Sequence, residues 1–177
     1  MKRTHATAEE HRTVFEGRFF QLDVDRVQLP SGHTVTLEVI RHPGSVVIVP
    51  MPSATEVILI RQYRYSIDRW IWELPAGTLK PAEDPLAGAA RECEEEIGLV
   101  PKSLRRIGAF YPTPGFCDEL MIFFRCSDLQ PPAQDSPVQK DEDEDLEPRT
   151  FTLAEARRLV EAAEIVDMKT VVGLTLV

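Results

Sequence analysis

Alternation of apolar and polar positions dominates the first third of the chain. "FFQLDVDRVQL" (19–29) and "TVTLEVI" (34–40) read as two strands joined by the turn "PSGH". Two β-branched runs follow, "SVVIVP" (45–50) and "EVILIRQYRY" (56–65), with the loop "MPSAT" between them. Further on, "SLRRIGAFYP" and "ELMIFFRC" predict two strands around the loop "TPGFCD", and "EPRTFTL" predicts another. The period changes to that of a helix in three places. These are Pro85–Ile97, "LAEARRLVEAAE" with its cap at Thr152 or Leu153, and "DMKTVVGLTLV" capped by Asp167. Strands with interspersed helices predict a mixed-sheet α/β fold, an α/β/α sandwich, with a meander over 13–42 as a separate small sheet. Residues 1–42 are expected to form an N-terminal β extension and 43–177 the main domain. The Pro-rich, then acidic segment "DLQPPAQDSPVQKDEDED" (128–145) reads as a loop within that domain.

The first helix has its ends written into the sequence. Asp84 suits the N-cap, Pro85 the first helical position and Gly98 the left-handed residue that stops the helix. On the helical wheel, Leu86, Ala89, Ala90, Cys93 and Ile97 span roughly 100°, a core-facing stripe. With Glu92 at the origin, Glu96 lies about 40° away, Glu95 about −60° and Glu94 about −160°. Glu94 is therefore expected in solvent, and Glu95 beside Arg91, four residues earlier. Glu92 and Glu96 are expected one turn apart at the edge of the buried stripe. Like charges at this spacing oppose the helix. Two readings account for them: a solvated acidic face, or oxygen ligands around a hard cation such as Mg²⁺ or Mn²⁺.

Composition narrows the choice. A chain of 177 residues fits one domain, and 43% hydrophobic residues allow a real core. The net charge of −9 argues against nucleic-acid binding through a broad basic face. It leaves phosphate-bearing small molecules open, because a divalent cation reverses the local sign. Cys93, Cys117 and Cys126 show neither a disulfide framework nor zinc spacing. The N-terminal stretch has no apolar signal region and no run approaches the ~18 apolar residues of a membrane span. The expectation is a cytoplasmic protein with no membrane partner.

The spacing of the carboxylates is more specific than their number. Gly77, Glu83, Arg91, Glu92, Cys93, Glu95, Glu96, Gly98 and Leu99 satisfy all nine fixed positions of G-x5-E-x7-R-E-U-x-E-E-x-G-U, with U apolar, over 23 residues. This is the Nudix box, and the chain resembles a Nudix hydrolase. The resemblance implies the Nudix fold and divalent-metal hydrolysis of a nucleoside diphosphate linked to another group. It implies Glu92 and Glu96 as principal metal ligands, with Glu95 on a further metal or water and the Ala76 carbonyl also facing metal. By the same resemblance Glu83 supports the metal region, Arg91 orients the glutamates, and Gly77 permits close approach of loop and helix.

Flanking motifs resemble the ADP-ribose pyrophosphatase branch, over about residue 14 to the C-terminus. They are "WELPAG" (72–77), "RQYR" (61–64), "RHPGSVVIVP" (41–50), "EIVDMKTVVGL", and "YPTPGFCDE" (111–119) with Pro114 16 positions beyond Gly98. Thr113 stands where that branch has serine. Pro114-Gly115 would set a tight turn presenting Phe116 and Glu119 to the second ribose, against a plain hairpin turn. Arg64, and less directly Arg61, would neutralise pyrophosphate oxygens, against surface ion pairs. Glu73 would accept from adenine or ribose, against a structural ion pair. In this branch a loop Glu-x-Glu supplies the base, which by position makes Glu142 the base and Glu144 a further metal or water contact, against an acidic solvent loop. The resemblance further implies two or three Mg²⁺ (or Mn²⁺) per site and a homodimer exchanging N-terminal strands, with which the apolar Phe15, Phe19, Phe20, Leu22 and Val24 agree. The rival readings are another NDP-sugar such as GDP-mannose, and a module that senses ADP-ribose without cleaving it.

Overall fold

In the computed structural model, residues 4–134, 136 and 146–177 are described. They divide into two compact units, one of residues up to Gly44 with Tyr111–Leu120, the other of Ser45–Phe110 with Met121–Val177.

The first unit is an antiparallel meander of β1 (Thr7–Glu16), β2 (Gln21–Gln28) and β3 (Thr34–Arg41). The β2–β3 register runs unbroken from Gln21↔Arg41 to Gln28↔Thr34, whereas β1 pairs with β2 through two irregularities. The sheet begins before the expected meander over 13–42. Every residue of β1 is exposed, so "TAEEHRTVFE" carries no alternation to read. Two buried aspartates, Asp23 and Asp25, stand on β2 and are clamped by Arg41 at 3.1 and 2.6 Å. The loop 111–120 is bound to the end of β3. The Ile40 N–H donates to the Phe116 carbonyl (2.7 Å) and the Asp118 N–H to the Ile40 carbonyl (3.1 Å).

The second unit carries two sheets and three helices. Its strands are β4 (Ser45–Pro50), β5 (Glu56–Arg64), β6 (Arg69–Glu73), β7 (Ala76–Thr78), β8 (Val100–Phe110), β9 (Met121–Gln130) and β10 (Glu147–Thr152). One sheet has the order β7-β4-β9-β8, with β4 parallel to β9; the other, β10-β5-β6, is antiparallel. Every residue of β4 is buried, as suits the unbroken apolar run of a central strand. Val47 and Val49 join Leu59, Leu74, Phe123, Phe151 and Leu174 in the core. Alternation along β4 turns Val46 and Ile48 to the opposite face.

The helices are α1 (Pro85–Ile97), α2 (Leu153–Glu161) and α3 (Met168–Thr175). Gly173 of α3 packs near Val49 and Phe123, so α3 covers one face of β4. Gly77 pairs with Val46 and lies under Glu92, which puts α1 on the other face. The expected mixed-sheet α/β/α layering is therefore observed. So are the caps: Asp84 accepts from the Ala87 N–H (3.3 Å), Thr152 and Glu155 form a capping box, and Asp167 accepts from the Thr170 N–H (2.9 Å). Gly98 closes α1 at φ 68°. The short strands β6 and β7 flank "LP", where the chain lacks the length for a period to show.

Candidate active site

The buried face of α1 is not the stripe expected from apolar residues alone. Gly88, Ala89, Glu92, Cys93, Glu96 and Ile97 are buried, while Leu86 is 48% exposed. The reason is the loop ahead of the helix: Leu79 and Glu83 lie against Gly88 and cover that side. The buried arc is thereby rotated onto the glutamates. Glu92 is 8% exposed and Glu96 5%, so both sit within the face rather than at its edge.

Arg91 organises the carboxylates. Its Nε and Nη2 donate to the two Glu83 oxygens at 2.9 Å each, and its Nη1 donates to Glu92 (2.6 Å) and Glu95 (2.5 Å). The Glu83 hydrogen bonds, with the charge of Glu92, hold the guanidinium above its ordinary pKa despite partial burial. The same Arg91 bonds, aided by the Lys80 N–H at 2.9 Å, hold the Glu83 carboxyl below the usual carboxylate value. Glu96 turns to β7 and accepts from the Ala76 N–H at 3.0 Å. A Cβ at Gly77 would overlap the Glu92 carboxyl, so this position admits no side chain. Glu94 is half-buried, not fully in solvent, and accepts from the Ser136 hydroxyl.

Three carboxylates thus share one guanidinium, and Glu96 adds a fourth negative charge one turn beyond Glu92. Nearly buried anions at this density need a further cation. Carboxylate oxygens beside backbone are the donor set of Mg²⁺ and Mn²⁺. The residues fit a hard divalent ion.

The loop that leads into β7 is fixed from three directions. The Leu74 N–H donates to Thr170 Oγ1 (2.7 Å), the Ile48 N–H to the Pro75 carbonyl (2.8 Å), and the Ala76 N–H to Glu96. Just ahead of it, Glu73 is 1% exposed and receives a fork from Arg64, Nε and Nη2 each at 2.7 Å. Burial works to raise the Glu73 pKa, but Arg64 and Lys169 outweigh it and the value is lowered. Arg64 is raised, first by its bonds to Glu73, with Asp167 and Glu96 contributing through charge.

Every expected site residue except Glu142 and Glu144 has a place among the described residues. Glu83, Arg91, Glu92, Glu95, Glu96, Ala76 and Gly77 come together, and Arg64 with Glu73 lies within electrostatic reach of Glu96. Arg61 is instead on the opposite face of β5, 3.6 Å from Glu147 and stacked on Trp70. Pro114, Gly115, Phe116 and Glu119 belong to the first unit. There the Phe116 and Cys117 N–H groups donate to the Thr113 carbonyl, the Phe116 ring is exposed, and the Glu119 carboxylate is 3.9 Å from His42 Nδ1. Glu142 and Glu144 lie outside the described residues.

Sequence reasoning passed over Lys169, whose ammonium reaches Glu73. Its signal was a single charged residue at the start of a helix that carries no other. A separate group of His11, Asp23 and Asp25 on the N-terminal sheet also has ligand-like spacing. Arg41 already fills it, with donors from Thr13 (2.9 Å) and Gln21 (2.6 Å) to Asp23.

Comparison with known proteins gives consistent relatives. The NUDIX domain model matches residues 41–170. The chain is 38% identical over 157 residues to the ADP-ribose pyrophosphatase of Bacillus subtilis, spanning 89% of this chain and 84% of that protein. It is 35% identical over 161 residues to the methanol dehydrogenase activator of Bacillus methanolicus, spanning 91% and 86% respectively. The crystal structure of an ADP compounds hydrolase superposes with a TM-score of 0.82 at 24% identity, covering 98% of this chain and 92% of that one, a likeness of fold.

Proposed function

The chain belongs to the Nudix family, and on that footing we propose that it hydrolyses the pyrophosphate bond of ADP-ribose to AMP and ribose 5-phosphate. The observation that carries this reading is the gathering of Glu92 and Glu95 on Arg91, with Glu96 one turn beyond Glu92 and held by the Ala76 N–H. The ADP-ribose pyrophosphatase relative supports the choice of substrate.

Glu92, Glu96, Glu95 and the Ala76 carbonyl would hold two or three Mg²⁺, or Mn²⁺. When bound, the metal would supply positive charge to the diphosphate and acidify water for attack. Glu83 and Arg91 hold the glutamates in place through four hydrogen bonds of 2.5–2.9 Å. Arg64 offers its guanidinium to a diphosphate oxygen, oriented by Glu73. Water attacks one phosphorus in line, the bridging P–O bond breaks, and the water proton passes to a carboxylate. By position that carboxylate is Glu142, with Glu144 as a further contact; both lie outside the described residues. In the first unit, Pro114-Gly115 would carry Phe116 and Glu119 to the second ribose. The exposed Phe15, Phe19 and Phe20 support the proposal that residues 1–42 form the extension through which a cytoplasmic homodimer assembles.

A panel of ADP-ribose, GDP-mannose and other NDP-sugars, incubated with Mg²⁺ and resolved by chromatography, tests the substrate. ADP-ribose is expected to be cleaved fastest, giving AMP and ribose 5-phosphate in equal amounts. Faster cleavage of GDP-mannose would reassign the substrate. Binding of intact ADP-ribose with no product would favour a sensing module instead.

A further inference from the structure

Lys169 stands in the first turn of α3 and is 8% exposed. Its Nζ donates to Glu73 Oε2 and, at 3.0 Å, to Asp167 Oδ2. A buried ammonium is costly unless paired, and Lys169 is the one charged residue of this helix. What the lysine adds is a second cation on Glu73. The Glu73 carboxylate faces both the Arg64 fork and the Lys169 ammonium, while Asp167 offsets part of the lysine charge. A carboxylate given to Arg64 alone would cancel that guanidinium; a shared one leaves it electropositive. The Arg64 side chain is 39% exposed, so the uncancelled charge is open to a ligand.

We propose that Lys169 is a positioning residue for the substrate diphosphate: by sharing Glu73 it keeps Arg64 both aligned and electropositive, and Asp167 sets how strongly. This rests on the reading of ADP-ribose as substrate.

The test exploits opposite signs. ADP-ribose binding to the full chain is measured by calorimetry with divalent metal chelated, so that no turnover occurs, and KM and kcat are then measured with Mg²⁺. Lys169→Met removes a positive charge and should weaken binding about tenfold, raising KM while kcat stays within about twofold. Asp167→Asn removes a negative charge but keeps a good N-cap acceptor, and should tighten binding about two- to threefold. In an Arg64→Gln background both shifts should vanish, because coupled residues are not additive. A scaffold role would lower thermal stability in both variants and would not move their affinities in opposite directions. Unchanged affinity in a folded Lys169→Met, weaker binding in Asp167→Asn, or full shifts persisting without Arg64 would each overturn the inference. Should Lys169→Met fail to fold, Asp167→Asn alone and in the Arg64→Gln background decides it. A wild-type protein that neither binds nor cleaves ADP-ribose overturns the substrate reading instead.

Discussion

Glu92 and Glu96 owe their chemistry to two unlike neighbours. Glu92 rests on a glycine and shares Arg91 with Glu83 and Glu95, while Glu96 accepts from the backbone of β7. Gly77 is fixed by its pairing with Val46, so a methyl there must displace the Glu92 carboxyl and not the strand. Gly77→Ala is expected to lower kcat/KM for ADP-ribose about 100-fold, the usual scale for ångström misplacement of a site group. Calorimetry should show weaker Mg²⁺ binding in the same variant, and unaltered metal affinity would contradict the role given to Gly77. The proximity of these residues was legible because their spacing is local: four residues bring Arg91 to Glu95, and eight bring it to Glu83. The exposure of Leu86 was not legible, since it depends on which side of the helix a preceding loop chooses to cover. Nor was the partner of Lys169, which lies 96 positions away in Glu73.

The elements differ in the same way. Strands β2 to β5 and β8 to β10 and all three helices announce themselves through periodicity or caps, whereas β1 is exposed throughout and β7 is three residues long. The helix α3 is legible as a helix but not as a clasp. It ties the end of β6 and the loop after it through Lys169–Glu73 and Thr170–Leu74. That clasp predicts a pH dependence. Glu73 has a native pKa lowered below the ordinary 4.5. Its contribution to stability is therefore present above that ordinary value and is lost as pH falls through the lowered native one. Urea unfolding between pH 7 and pH 3 should show wild type losing more stability on acidification than Glu73→Gln, which has no carboxylate to protonate. Equal losses in the two proteins would remove Glu73 from the acid response.

At the scale of the whole chain, the mixed α/β architecture and the Nudix box were legible before any coordinates, because one is a matter of period and the other of fixed spacing. The grouping of Tyr111–Leu120 with the N-terminal meander was not, since it depends on hydrogen bonds between the loop and Ile40. The net charge of −9 suits an anionic substrate only where it is locally reversed. Arg64 and a bound divalent ion would do so at the diphosphate. No helix among the described residues is long and apolar enough to cross a membrane. The proposed function assigns metal-dependent hydrolysis of ADP-ribose to the buried carboxylates of α1. Turnover of ADP-ribose by wild type and Glu96→Gln, across a Mg²⁺ titration and with thermal melting in parallel, tests it most directly. Wild type should release AMP and ribose 5-phosphate only with Mg²⁺, and Glu96→Gln should lose about 10³-fold or more in kcat while melting at or near the wild-type temperature. Near-native turnover by a folded Glu96→Gln would contradict it.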